Sequence, residues 1–279
     1  MRGWSEKTFP ACGTRHNMKF VDTHTHLYDE AFDQDRPQVM ERVLASGVDR
    51  WIFPAIDSAS FKAQTEVYEQ YREHTFMGMG LHPTSVAENW KDELDFAIGE
   101  LREHKERYIA VGEIGLDAYW SRDFFSQQKE VLSAQLEYAA RENLPVIIHE
   151  RSATEEMLDM MQGFKGRLRG VFHAFTGSIE TYRRIASLGG FKVGIGGVVT
   201  FKNAGIARTV ADIPLENILL ETDSPYLTPA PYRGKRNESS YIPFIAAKIA
   251  EIKGIEIEDV ALQTTRNAEE LFRLPSRNC

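Results

Sequence analysis

The sequence predicts an α/β chain folded as a (β/α)8 TIM barrel. Three observations lead there. Eight short apolar, β-rich runs recur along the chain with helical stretches between them. Most of these runs are continuous rather than alternating, as strands buried on both faces are. The length, 279 residues, suits one large barrel as well as two smaller domains.

In order, the runs are KFVDTHTH (19–26), RWIFPAI (50–56), TFMGMGL (75–81), YIAVGEIGL (108–116), LPVIIHE (144–150), GVFHAF (170–175), GFKVGIGG (190–197) and NILLETD (217–223). Between them, residues 123–143 set Phe124, Val131, Leu132, Leu136 and Ala139 on one helical stripe that would pack on a sheet. The stretch 178–190 opens on Ser178 as a cap, has Glu180 in its first turn and ends in Gly190. Beyond residue 240 the pattern is helical, as for a helix that closes a barrel. An open doubly wound sheet is the alternative, disfavoured because no GxGxxG or phosphate-binding loop follows the first run. No repeat or low-complexity linker is present. Residues 1–17 read as an irregular arm, and residues 18–279 as a single barrel domain.

Composition is that of an ordinary globular chain, 42% hydrophobic and 27% charged. The formal net charge of −8 argues against a broad basic face that coats duplex nucleic acid, while leaving room for a local basic patch. The two cysteines, Cys12 and Cys279, form no CxxC pair, so neither a disulfide framework nor a thiolate metal site is expected. A reducing, cytoplasmic setting is the simple expectation. No apolar run is long enough to span a bilayer, and the first residues lack a signal-peptide core.

The polar residues at the C-terminal ends of the runs carry the chemistry. His24 and His26 stand two apart, a spacing that in a strand turns both imidazoles to one face. His82, Glu113, His149, His173 and Asp223 fall at the ends of later runs. In a barrel these positions converge on one mouth, where active sites are built. A lone buried His is commonly a satisfied core residue, but a whole set after successive apolar runs is poorly explained by packing. Four His and two carboxylates exceed what one tetrahedral ion takes. They suit two divalent ions sharing a carboxylate, about 3.5–4 Å apart in known two-metal sites. Mg2+, Mn2+ and Zn2+ are the candidate ions.

VDTHTHL, GLHP, GEIGLD, PVIIH, HAFTGS, LLETDSPYL and YRGKRNE, spread from residue 18 to about 273, resemble in order and spacing the TatD-type metal-dependent deoxyribonucleases of the amidohydrolase-like barrels. The resemblance implies that His24, His26 and Asp223 bind one metal and that Glu113 bridges to a second held by His149 and His173. It also implies exonuclease action on DNA, running 3′ to 5′, with single strands as one candidate substrate. The chain departs from the family pattern at Ala118 (usually aromatic), Ser152 (usually Asp), Ala174 (often Cys) and Ser239 (usually Pro).

The expected reaction is hydrolysis of a phosphodiester by metal-activated water, with Asp223 as general base and Glu113 between the ions. Glu221 would orient a ligand or water, or serve as a buried ion-pair partner; His82 would contact phosphate or the leaving oxygen. Arg151, Arg233, Lys235 and Arg236 would hold phosphates, and Tyr226, with Tyr119, Trp120, Phe175 and Tyr232, would stack bases. DNA would be a transient partner engaged at a strand end; a monomer is compatible with the sequence, and no membrane is expected. Two alternatives stand beside this: an amidohydrolase-like enzyme for a C–N, lactone or small phosphoester bond, and a non-catalytic nucleic-acid-binding barrel with a structural metal.

Overall fold

The computed structural model describes residues 18–276; the arm expected over 1–17, Cys12 and Cys279 lie outside the described residues. Strands and helices alternate as β1 (Phe20–Asp22), α1 (Arg36–Ala45), β2 (Val48–Phe53), α2 (Ser58–Gln70), β3 (Thr75–Met79), α3 (Trp90–Glu103), β4 (Tyr108–Asp117) and α4 (Phe125–Glu142). The second half repeats the pattern with β5 (Val146–Arg151), α5 (Thr154–Gln162), β6 (Gly170–Phe172), α6 (Ile179–Ser187), β7 (Phe191–Ile195), α7 (Ile206–Asp212) and β8 (Ile218–Leu220). Two helices, α8 (Ile242–Lys253) and α9 (Ile257–Phe272), follow. The strands form one sheet in the order β1 to β8, each parallel to the next. The predicted barrel is therefore present.

Val21, Ile52, Ala110, Ile147, Val171 and Leu219, from six strands, pack together with Leu271 and Phe272 of α9. Side chains from strands around the whole sheet meet only in its interior, so α9 plugs one end of the barrel. The opposite strand faces pack under the helices in the main core. On α4, Val131, Leu132, Leu136 and Ala139 are buried as expected, but Phe125 replaces Phe124, which caps the helix and packs beside Leu81 and Val86. The same face buries two glutamines. Gln128 brackets the backbone of Asp117, and Gln135 brackets that of Leu81, each donating to a carbonyl and accepting from an amide. These bonds fix the ends of two strands where site residues begin. The Ser178 cap is also present, its hydroxyl accepting from Thr181 N.

The seam between β8 and β1 is closed differently from the other strand pairs. Thr23 donates its amide and its hydroxyl to the Leu220 carbonyl, each at 3.0 Å. Buried Asp22 accepts from Thr222 N at 3.0 Å and Thr222 Oγ1 at 2.6 Å. Side chains thus complete a circle that both short strands leave open. No helix among the described residues is long and apolar enough to cross a membrane.

Candidate active site

The first correction to the sequence reading concerns His24 and His26, which lie beyond β1 rather than within a strand. They still face one centre because the extended backbone keeps bonding: Thr25 N reaches the Ile52 carbonyl and His26 N the Ser224 carbonyl. Asp223 likewise lies past β8, in a left-handed turn at φ 56°, a conformation Asp tolerates. Its amide donates to the His24 carbonyl at 2.9 Å. That bond joins residues 199 positions apart in the chain.

Glu113 stands at the centre. The β4–β5 register shifts between Val111 and Ile114, and Glu113 N bonds the Ala55 carbonyl. The irregularity re-aims this side chain. Its Oε2 lies 3.1 Å from His24 Nε2 and 3.8 Å from His26 Nε2. Its Oε1 lies 2.7 Å from His173 Nε2, 2.9 Å from His149 Nδ1 and 3.2 Å from His82 Nε2. Asp223 Oδ1 is 3.7 Å from His24 Nε2 and 3.6 Å from His26 Nε2. All six residues expected to hold metal, scattered from 24 to 223, therefore meet around one carboxylate. His82 joins them.

Three ring orientations follow from partners on the far side of the imidazole. Tyr28 donates its hydroxyl to the Pro54 carbonyl and so accepts from His26 Nδ1, leaving Nε2 bare toward the centre. Asp117 Oδ2 sits 2.9 Å from His149 Nε2 and accepts a hydrogen bond from it, which turns Nδ1 toward Glu113. His82 is set the other way: Thr84 N donates to its Nδ1, so the proton on Nε2 points at Glu113. The ring of His24 stacks on His173, with centroids 3.9 Å apart.

Asp117 escaped the sequence reading, although it stands four residues beyond Glu113 and shares its strand face. Tyr28, two residues past His26, carried a similar but weaker signal.

Charge at the centre is tightly coupled. Burial would raise Glu113, but His173, His24, His82 and His149 around it hold the carboxyl well below the usual range. Burial also opposes ionisation of Asp223, and His26, His24 and His173 outweigh it, so this carboxyl too is lowered. Burial, reinforced by His173, pushes His24 down to about 4 and keeps it neutral.

The donor set fits divalent cations. Among the described residues, both ring nitrogens of His24, Nδ1 of His173 and Oε2 of Glu221 are buried without a hydrogen-bond partner. Three groupings converge closely enough to hold an ion: His24 with His26 and Asp223, His24 with Glu113 and His173, and His82 with Glu113 and His149. Imidazole nitrogens and ionised carboxylates converging on one another are, by chemistry, a set that suits a cation.

The remaining predicted residues separate. Glu221 is fully buried behind His173, with Oε1 at 3.8 Å from His173 Nδ1 and accepting from Ala174 N. A Cβ at position 194 would strike this carboxyl, so Gly194 makes its seat possible. Burial pushes Glu221 up to about 8. Arg151 lies over the ring of Tyr119 at 3.7 Å and near Trp120, and both aromatics are exposed. Arg233 lies over Phe201 at 4.0 Å, Lys235 is exposed beside Tyr232, and Tyr226 is exposed. Arg236 departs from expectation: it pairs with Asp35 at 2.7 Å and donates to the Ala31 carbonyl. Its guanidinium fastens the loop to the start of α1 instead of facing a ligand.

A barrel with this constellation at its mouth defines a metal-dependent hydrolase. The family model described as TatD related DNase matches residues 21–273, and the chain belongs to that family. A relative called an uncharacterized metal-dependent hydrolase, YabD of Bacillus subtilis, is 40% identical over 91% of this chain and 98% of its own. A Pantoea ananatis protein called 3′-5′ ssDNA/RNA exonuclease TatD is 32% identical over 91% of this chain and 99% of its own. Among solved structures, the TatD homologue YJJV of Escherichia coli superposes with a TM-score of 0.83 at 29% identity, over 92% of this chain and 98% of that one.

Proposed function

We propose that this chain is a deoxyribonuclease that removes nucleotides from the 3′ end of DNA, with single strands its preferred substrate. The observation that carries the reading is the meeting of five imidazoles and Asp223 around Glu113 at the barrel mouth. In this reading His24, His26 and Asp223 would hold one divalent ion and His149 and His173 a second, with Glu113 as a ligand available to both. Such a pair, once bound, lowers the pKa of water and offsets charge developing on phosphoryl oxygens.

The chain's own groups do the rest. Asp223, kept ionised, accepts the proton of the attacking water. His82 offers its Nε2 proton to the leaving oxygen, its ring held by Thr84. Asp117 keeps His149 in the tautomer that leaves Nδ1 free to bind. Glu221, having no access to solvent, braces the segment carrying His173. Arg151, Arg233 and Lys235 attract the phosphates, and Trp120 and Tyr226 offer faces for bases.

The test is release of mononucleotides from 3′- and 5′-labelled single-stranded DNA with Mn2+ or Mg2+. Loss of label from the 3′ end first, abolished by Glu113→Gln, is expected. Intact DNA under all metals, or undiminished cutting by Glu113→Gln, contradicts the proposal.

A further inference from the structure

Asn237 belongs to the YRGKRNE stretch, is fully buried, and takes part in no step above. It packs against the turn that carries Asp223. Residues 222–226 lie beyond β8 in no strand or helix, so each of their carbonyls needs a donor from elsewhere. The Asp223 carbonyl accepts from Tyr226 N and the Ser224 carbonyl from His26 N, each at 2.8 Å. Those of Thr222, Pro225 and Tyr226 all accept from Asn237. Its backbone N reaches Pro225 at 3.0 Å, and its Nδ2 reaches Thr222 at 2.8 Å and Tyr226 with the second amide hydrogen.

The chemistry of this seat asks for Asn. Two carbonyls face one side chain, and an amide nitrogen has two hydrogens to give. The amide oxygen is used as well, accepting from Glu238 N at 3.0 Å. Asp would bring no donor, Ser one, and Gln an extra methylene that a fully buried seat resists. Asn237 is itself held from outside the turn. Arg236 pairs with Asp35, the residue that precedes α1, and Glu238 pairs with Arg42 inside α1, each at 2.7 Å. His24 and His26 thus hold the turn at its middle, and Asn237 holds the carbonyls to either side. Asp223 needs both, because its left-handed φ of 56° persists only where the surroundings over-determine it.

We infer that Asn237 is a positioning residue for the metal centre: it fixes the backbone of residues 222–226 so that the Asp223 carboxylate faces His24 and His26. The inference rests on the two-ion reading above and extends one of its sites to a side chain that touches neither metal nor substrate. Asn237 sets the affinity of the ion at His24, His26 and Asp223 and leaves the ion at His149 and His173 alone.

The test is calorimetric Mn2+ titration of the full-length protein. Asn237→Ala, which keeps neither amide donor, and Asn237→Ser, which keeps one hydroxyl donor, should weaken one binding step by roughly 10–100-fold and leave the other in place. Asn237→Ser carries the test should Asn237→Ala fail to fold. The weakened step should be the one that Asp223→Asn also weakens. In the Asp223→Asn background, Asn237→Ser should change Mn2+ affinity by no more than about twofold, because its route to the ion is gone. Glu238→Gln loosens the same loop and keeps every Asn237 donor, so it should leave both steps unmoved. Wild-type Mn2+ binding by Asn237→Ser, equal weakening of both steps, or the same weakening with and without the Asp223 carboxylate overturns the inference. If the Mn2+ steps behave as described while DNA stays intact, the nuclease reading fails and the role of Asn237 stands. If DNA is cut from its 3′ end while Asn237→Ser moves neither step, the role of Asn237 fails alone.

Discussion

The β8–β1 side of the mouth and the β4–β6 side carry similar candidate ligands but hold them by different means. On the first, the ligand-bearing segments are laced together. Asp223 bonds His24, Ser224 bonds His26, Asp22 bonds Thr222, and Asn237 donates to the Thr222 carbonyl at 2.8 Å. On the second, His149 is braced by Asp117, and the nearby wall opens into the cavity between α5 and α6. The laced side has little freedom to vary without losing a buried hydrogen bond. The open side can change its lining and keep its ligands. Ser152 and Ala174, two departures from the family pattern, both line the cavity, whereas Ser239 falls in the lacing, donating to Thr25.

Removing a shared ligand should erase the contrast. Glu113→Ala is expected to lower kcat/KM by about 10³-fold or more, since it takes several kcal/mol of charge stabilisation with it. Steady-state kinetics on a chromogenic phosphodiester measures this, with metal content read in parallel.

Asp117→Asn separates the sides. It should weaken metal binding by roughly 10–100-fold, the usual effect of losing an outer partner of a ligating His, and only for the ion near His149. Sequential Mn2+ titration should show one step moved and one unmoved. Equal loss at both steps would mean that the two sides are not independent.

Thr222→Val tests the lacing. It takes one hydroxyl donor from the buried Asp22 carboxyl, so unfolding should cost about 1–3 kcal/mol less than in the wild type. Denaturant melts check this.

A smaller effect belongs to the outer ring of the β8–β1 side. Arg42 holds Glu238 with bonds of 2.9 and 2.7 Å. Burial opposes ionisation of Glu238, but Arg42 prevails and its pKa is lowered. A lowered carboxyl stabilises the fold above its unfolded pKa, near 4.5, and loses that contribution as pH falls through the folded value. Glu238→Gln should therefore cost up to about 1 kcal/mol at pH 7, because Arg42 is half exposed to solvent, and the difference should vanish in acid. Melts of both proteins from pH 7 to pH 3 measure the gap.

The barrel was readable because eight apolar runs of strand length alternate with helical stretches, a pattern that a closed parallel sheet satisfies. The convergence of the candidate ligands was readable because they follow those runs. The orientation of the ligands was not. His24 and His26 share a direction through bonds to Ile52 and Ser224, partners far off in the sequence. Asp117 looked like one more charged residue at a strand end until His149 was found against it. Arg236 looked free because its partner Asp35 lies some two hundred residues away. The cavity was invisible for the same reason: its walls come from two helices and two strand ends, with no pattern in any one of them.

The most direct test is anomalous diffraction from crystals soaked in Mn2+. Two peaks should appear, one among His24, His26 and Asp223 and one among His149 and His173, with Glu113 between them. A single peak, or peaks that Glu113 does not touch, would contradict the two-metal account of this mouth.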